Sequence, residues 1–379
     1  MLSYMQALGN TPLVDLFAQA ISPTLHYTVG DVAKYCFIVP DENSGTSIRP
    51  LVRSCRRIVR DDWDCFETSW DYLIMPLARP GETLVSCQFE RWSAECDERF
   101  SQLKANEEEL NRIFARIYGM EGEVPIEVPE DKVSVRRANL GRDIRALVSY
   151  GVGCIMGRYS VYKPGLVLAD VGQALADFEA KVPDAPFKPD DNAIVPVLDG
   201  EWFTDDIVAQ FLKWLEVTYG RDALEENVDF IESALGKDIR SYFVKDFYKD
   251  HCATFQVKGS GKRPIYWMFS SPKGSFKALV YMHRYTPSTV GQILTGYLRE
   301  YMAKLNASIV VLDQSERSQD KRQADKYRAV VRELSDWERD VVYPLANEHI
   351  AIDLDDGIKV NYNKFPHALA KVAGLSTWK

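Results

Sequence analysis

The stretch FERWSAECDERFSQLKANEEELNRIFARIYG, residues 89–119, decides how the rest of the chain is read. Phe89, Trp92, Cys96, Phe100, Leu103, Leu110, Ile113, Phe114 and Ile117 recur at helical steps and mark one stripe. They predict a single helix of about 35 residues ending at Gly119. Glu107-Glu108-Glu109 lies largely off that stripe. A helix this long packs as an arm or as a coiled-coil-like hairpin. The fold class that follows is α+β and predominantly helical, with long helices, a helical hairpin and a small region containing a β-hairpin.

On the N-terminal side, Ile48, Leu51, Val52, Cys55, Ile58 and Val59 give a second amphipathic helix, closed by Asp61-Asp62-Trp63-Asp64. Residues 1–46 read as a mixed segment. Asn10-Thr11-Pro12 starts a helix, Thr24 to Val29 alternates as one strand, and Pro40 to Gly45 is a turn cluster. On the C-terminal side, a Pro/Glu-rich link from Glu121 to Asp131 leads into a helix over Ser134–Tyr150 carrying Arg136, Arg137, Arg142 and Arg145. A loop with a short strand around Ile194–Val197 precedes a helix over Ile207–Tyr219, stopped by Gly220. Pro264–Phe269 and Ala278–Met282 form two strands around a Ser271-Pro272-Lys273-Gly274 turn. Val290–Leu312 and Gln319–Leu345 make an antiparallel helical hairpin; Asp353–Tyr362 is a polar turn and short strand before a small helix. The expected division is 1–46, a helical domain 47–165, and an α+β domain 166–379.

Composition excludes several classes. The chain has 379 residues, 46% hydrophobic and 27% charged, which fits a globular protein of two or three domains. Leu147–Gly157, the longest nearly uncharged apolar stretch, is about half of a membrane span. Met1–Ile21 has no basic start, and Asp15 interrupts it. No membrane association and a cytoplasmic location are expected. Seven cysteines without CxxC spacing argue for reduced thiols rather than a disulfide scaffold or zinc ribbon.

The motifs that mimic chemistry fail on context. Gly151, Gly153 and Gly157 have the spacing of a nucleotide loop but follow a helix instead of a strand, so close helix packing is the better reading. Lys258-Gly259-Ser260-Gly261-Lys262 lacks the first glycine of a P-loop, and Arg263 replaces its Ser or Thr. His251 and Cys252 are neighbours, and neighbouring side chains diverge. Asp353, Asp355 and Asp356 lack the rest of a calcium loop. No catalytic residue, metal site or cofactor site is assigned.

The residues from Lys237 to Lys304 are different. Twelve lysines and arginines stand there against four acids, so the window carries +8 in a chain of net charge -9. Thirteen aromatics interleave with the cations. Two readings stay open: a phosphate-binding surface, or an aromatic core under a solvated basic face.

Several strings are more particular: Cys65-Phe66-Glu67-Thr68-Ser69-Trp70-Asp71, Asn106 to Phe114 with Tyr118-Gly119, Ser149 to Ser160, Asp246 to Cys252, Lys262 to Trp267, Tyr281 to Tyr285, and Ile352 to Tyr362. In this order they resemble the C-terminal part of the PglX family, the adenine-specific DNA methyltransferases of BREX phage-defence systems, from about residue 20 onward. The resemblance implies duplex DNA as partner. It also implies a separate methylase portion that binds S-adenosylmethionine and flips the adenine, together with other BREX proteins. The family's Asn-Pro-Pro-Tyr type motif has no counterpart, since this sequence contains no Pro-Pro dipeptide. Residues 1–46 resemble the end of a target-recognition region. The chain is therefore expected to be a noncatalytic DNA-recognition and clamping module. Its expected DNA-facing residues are Lys262, Arg263, Lys273, Lys277, His283, Arg284 and Arg158. The rival expectation is a scaffold that docks other BREX components.

Overall fold

The computed structural model describes residues 1–21, 28–39, 41–258 and 261–378. The chain divides into two compact units, one of Met1–Trp70 with Phe89–Asn139, the other of Asp71–Gln88 with Leu140 onward.

The first unit opens with α1 (Leu2–Leu8), α2 (Pro12–Ile21) and the single turn α3 (Val29–Val32). Of the strand expected over Thr24–Val29, residues 24–27 lie outside the described residues. Thr28 caps α3 through a hydrogen bond accepted from the Asp31 amide, and Val29 opens it, so neither is in a strand. Helix α4 (Glu42–Trp63) is capped by the Asp41 carboxylate, which accepts from the Ser44 amide at 2.7 Å. Helix α5 (Val85–Ile117) is the long helix of the sequence, and the division between the units falls inside it, after Gln88. Tyr4, Ala7 and Leu8 of α1, Ile48 and Val52 of α4, and Leu110 and Phe114 of α5 share one core. A second small core joins Ile58 to Phe100, Leu103, Val133 and Val135. Val59, expected on the apolar face, is instead 41% exposed at its edge.

The second unit begins with α6 (Leu140–Ile155), which starts later than the arginine-rich string suggested and carries Gly151 and Gly153 inside it. After α7 (Leu175–Lys181) come β1 (Ile194–Pro196), α8 (Ile207–Tyr219), α9 (Leu224–Leu235), α10 (Ile239–Tyr242) and α11 (Tyr248–Thr254). α6 packs on α8 and α9. Strands β2 (Gln256–Val257) and β3 (Gly261–Lys262) form a small hairpin whose tip, with Gly259 and Ser260 of the P-loop-like string, lies outside the described residues. β4 (Tyr266–Ser270) and β5 (Lys277–Tyr281) form the main antiparallel hairpin, and β1 adds to β5 in the order β1-β5-β4.

Two helical limbs cover this sheet. One runs α12 (Thr289–Gln292), a π-helical stretch Ile293–Leu298 and α13 (Arg299–Asp313). The other runs α14 (Ser318–Trp337), a second π-helical stretch Glu338–Val342 and α15 (Tyr343–Glu348). They are the expected hairpin. Their core with the sheet includes Trp267, Phe269, Phe276, Leu298, Leu305, Leu334 and Trp337. The strand expected near Tyr362 is corrected to a short helix, α16 (Ile358–Tyr362), entered through Gly357 at φ +80°. Both Asn361 and Tyr362 lie at 0% exposure at the end of this turn of helix. Predominantly helical α+β is the architecture.

Candidate nucleic-acid interface

The β4–β5 hairpin splits the expected basic site into two places. Its register pairs Tyr266 with Tyr281 at the open end and Ser270 with Lys277 at the turn end. A strand of this length separates those ends by roughly 13 Å.

The open end is anchored by His251 on α11. Its Nε2 accepts from the Ile265 and Tyr266 amides at 3.0 and 3.1 Å, and its ring stacks on Tyr266 at 4.8 Å. Burial first, and the nearby Arg158 second, push this imidazole down to about 3. The adjacent Cys252 thiol is pushed up to about 11 by burial. The pair therefore holds a hairpin in place.

From this anchor the chain presents Lys262, half-exposed, and Arg263, exposed. The Arg263 amide donates to the Phe255 carbonyl at 2.7 Å and fixes the backbone beneath its side chain. Among the described residues neither side chain has an ion-pair partner. Arg158 is half-buried. Its Nε donates to the Tyr159 hydroxyl at 3.0 Å and its guanidinium lies over that ring. His283 lies beside Tyr281, and burial, then Arg158, push its imidazole down to about 4. It is thus neutral at pH 7 and brings no charge to a phosphate.

The expectation that Arg284 faces DNA meets a buried guanidinium. Arg284 is 7% exposed, and its Nη1 donates to the Asp190 carbonyl at 2.7 Å and the Met156 carbonyl at 3.3 Å. Its Nη2 donates to the Asp191 carbonyl at 2.7 Å. The fork ties internal loops together.

At the turn end, Lys273 is exposed, and its amide donates to the Glu333 carboxylate at 2.8 Å. Lys277 is half-buried and donates to the Val244 carbonyl at 2.7 Å. Burial and the like charge of Lys249 lower its pKa. Lys249, exposed on α11, pairs with Asp246 at 3.7 Å. The interleaved aromatics are largely core: Tyr242, Phe243, Phe247, Tyr266, Trp267, Phe269, Phe276, Tyr281, Tyr285, Tyr297 and Tyr301 are all buried. They form no platform for stacked bases.

A groove of about 860 Å³ elsewhere in this unit is lined by Asp205, Asp206, Glu300 and Trp202, with Arg240 and Lys304 among its cations. Arg240 is spent on Asp206 at 2.7 Å, and Lys304 on the Trp202 carbonyl at 2.7 Å. The groove offers a phosphate no unengaged cation among these. Among the described residues no group of His, Cys, Asp and Glu could hold a metal ion. No helix among them is long and apolar enough to cross a membrane.

His251, buried, and His283, half-buried, make stability pH-dependent. Both have folded pKa values below the unfolded value of about 6.5, so the unfolded chain takes up protons first as the pH falls. Their contribution is complete above pH 6.5 and is lost as the pH drops toward 4. Between pH 7.5 and 5.5 each costs about 1.4 kcal/mol, roughly 3 kcal/mol together. Urea midpoints at the two pH values measure this, and His251→Gln should remove about half of the difference. An unchanged pH slope in that variant would show that His251 titrates normally.

No protein-family model matches the chain. Two characterised proteins do. The adenine-specific methyltransferase PglX of Lacticaseibacillus casei (strain Zhang) is 37% identical over 386 residues, covering 96% of this chain and 31% of that protein. The adenine-specific methyltransferase BrxX of Escherichia coli O9:H4 (strain HS) is 32% identical over 413 residues, covering 98% of this chain and 33% of that protein. This chain therefore belongs by sequence with the PglX and BrxX adenine-specific methyltransferases, and it spans about a third of their length.

Proposed function

We propose that this chain is the noncatalytic C-terminal module of a BREX-type adenine-specific DNA methyltransferase, and that it clamps duplex DNA while a separate methylase portion performs the chemistry. The observation that carries this is the pair Lys262 and Arg263, displayed at the open end of the hairpin without ion-pair partners among the described residues, in a chain homologous to adenine-specific methyltransferases. Lys273, with Lys277, is a second group at the turn end of the hairpin. Arg158 and His283 lie half-buried beside Tyr281. Arg284 is left out because its donors are occupied. The noncatalytic reading rests on the sequence, which has no Asn-Pro-Pro-Tyr type motif.

Fluorescence anisotropy of the whole chain with duplexes of differing sequence tests the reading. Lys262→Ala/Arg263→Ala should weaken binding to all of them alike and lower the salt slope by about 1.8, two phosphate contacts' worth. Binding that is unchanged in the double variant would remove these residues from the interface. Binding of S-adenosylmethionine by the chain would overturn the noncatalytic part.

A second reading is a scaffold that docks partner proteins. It is favoured by Val310 and Val311, which lie 60% and 68% exposed side by side on α13. Flow-through on heparin with co-purification of a partner would select it; retention on heparin selects the DNA reading.

A further inference from the structure

The first unit carries a cationic surface that the basic window does not include. On α4, Arg49, Arg53, Arg56, Arg57 and Arg60 are all exposed, and no acid lies between them. At 100° per residue the five fall within an arc of about 100°, and their Cα atoms span about 16 Å of helix axis. The opposite side of the helix is spent: Ile48, Val52 and Ile58 are 1%, 3% and 6% exposed in the two cores of this unit. What α4 offers outward is a row of guanidinium groups.

The rest of the unit shows what its arginines do when neutralised internally. Arg91 pairs with Glu95, Arg112 with Glu109, Arg116 with Glu121, Arg136 with Asp62, and Arg137 with Asp97. Carboxylates are thus plentiful here, and every one of those five cations has found one. Among the described residues, none of the five arginines on α4 has an ion pair or a side-chain hydrogen bond. Five like charges along one stripe repel each other and cost stability, so their alignment calls for an external anion.

We propose that the arginine face of α4 is a duplex-DNA backbone contact of this chain, additional to the hairpin surface; this rests on the DNA reading given above. Arginine forks grip phosphate oxygens in pairs, and a straight row matches a regular track of phosphates. A membrane surface fits less well, because the side of this helix opposite the arginines is buried and only Val59 and Trp63 remain as exposed apolar groups, too little to insert. Contact at phosphates carries no base information, so the face adds affinity and orientation rather than sequence choice.

The test uses the whole chain and a 20-base-pair duplex at several salt concentrations. The Arg53→Ala/Arg57→Ala/Arg60→Ala variant should bind on the order of 10–100-fold more weakly at 0.1 M salt, with a salt slope lower by about 2.7. Replacing the same three by lysine should restore most of the slope, because lysine keeps the charge. Since these side chains are exposed and have no partner among the described residues, the melting temperature should not fall, which separates lost contact from lost fold. If the parent chain binds and the alanine variant binds equally well, the face serves something else, such as an acidic protein, and the inference falls alone. If the parent chain does not bind duplex even at low salt, the DNA reading itself falls, and this inference with it.

Discussion

Replacing Arg284 by methionine will lower the melting temperature of the second unit by roughly 10 °C and leave DNA affinity, measured below the transition, within about twofold of the parent. The guanidinium is the common donor to the carbonyls of Met156, Asp190 and Asp191. Methionine fills much of the volume but brings no donor, so three backbone acceptors lose their partner inside the protein. Breaking such a buried polar connection costs about 3–5 kcal/mol. The loop it secures also depends on Asp190, whose carboxylate accepts from Gln210 at 3.0 Å and from the amides of Asn192 and Ile194. Losing the cation leaves that half-buried carboxylate without its nearby positive charge, which adds to the cost. Arg284→Lys keeps the charge but has no planar fork, so it should fall between the two. Thermal melts and anisotropy on the same samples decide the matter. An unchanged melting temperature with lost DNA binding would return Arg284 to the interface.

Arg284 also shows where reading a sequence stops. The helices were legible because their periodicity is local. The stripe through Trp92, Cys96 and Phe100 fixes α5 nearly to its ends, and Gly220 stops α8 where it should. The destination of a cation is not local. The acceptors of Arg284 lie 93 to 128 residues away, so composition counted it with the surface lysines around it. The interleaved aromatics were ambiguous for the same reason, since a stacking platform and a core use the same residues. Near Tyr362, Ile358, Val360 and Tyr362 alternate as in a strand, yet five residues are too few to tell period two from a helical turn. The arginine stripe of α4 is written in the sequence at the same helical spacing as its apolar face. The apolar side of its helix is what periodicity detects, and flanking acids such as Asp41, Glu42, Asp61, Asp62 and Asp64 cancel its charge in any wide window.

The largest effect expected from adding a single methyl group is at Gly153. In an open helix, alanine in place of glycine gains about 1 kcal/mol. Here a Cβ would overlap Cδ2 of Tyr159. That ring cannot retreat: it stacks on Tyr150 at 5.3 Å, meets the edge of Tyr72 at 5.6 Å, and is 2% exposed. Gly151 is held in the same way by Phe211 and Trp214 of α8, at 2.7 and 2.8 Å. Relief at Gly153 requires the turn carrying Tyr159 to shift, as relief at Gly151 would require α6 to move off α8, and overpacking of this kind costs about 1–3 kcal/mol, more where backbone must shift. Gly153→Ala is therefore expected to lose about 3 kcal/mol net and roughly 10 °C of melting temperature. Gly291→Ala is the control, because its Cβ would meet nothing within 4 Å and the helical gain should survive. The contrast between the two separates packing from nucleotide binding, the other use of glycines at this spacing. Loss of stability at Gly153 with a neutral or stabilised Gly291 variant is what close helix packing demands. A Gly153→Ala chain that melts like the parent would mean that α6 does not lie against Tyr159, and the glycines would then need another reason.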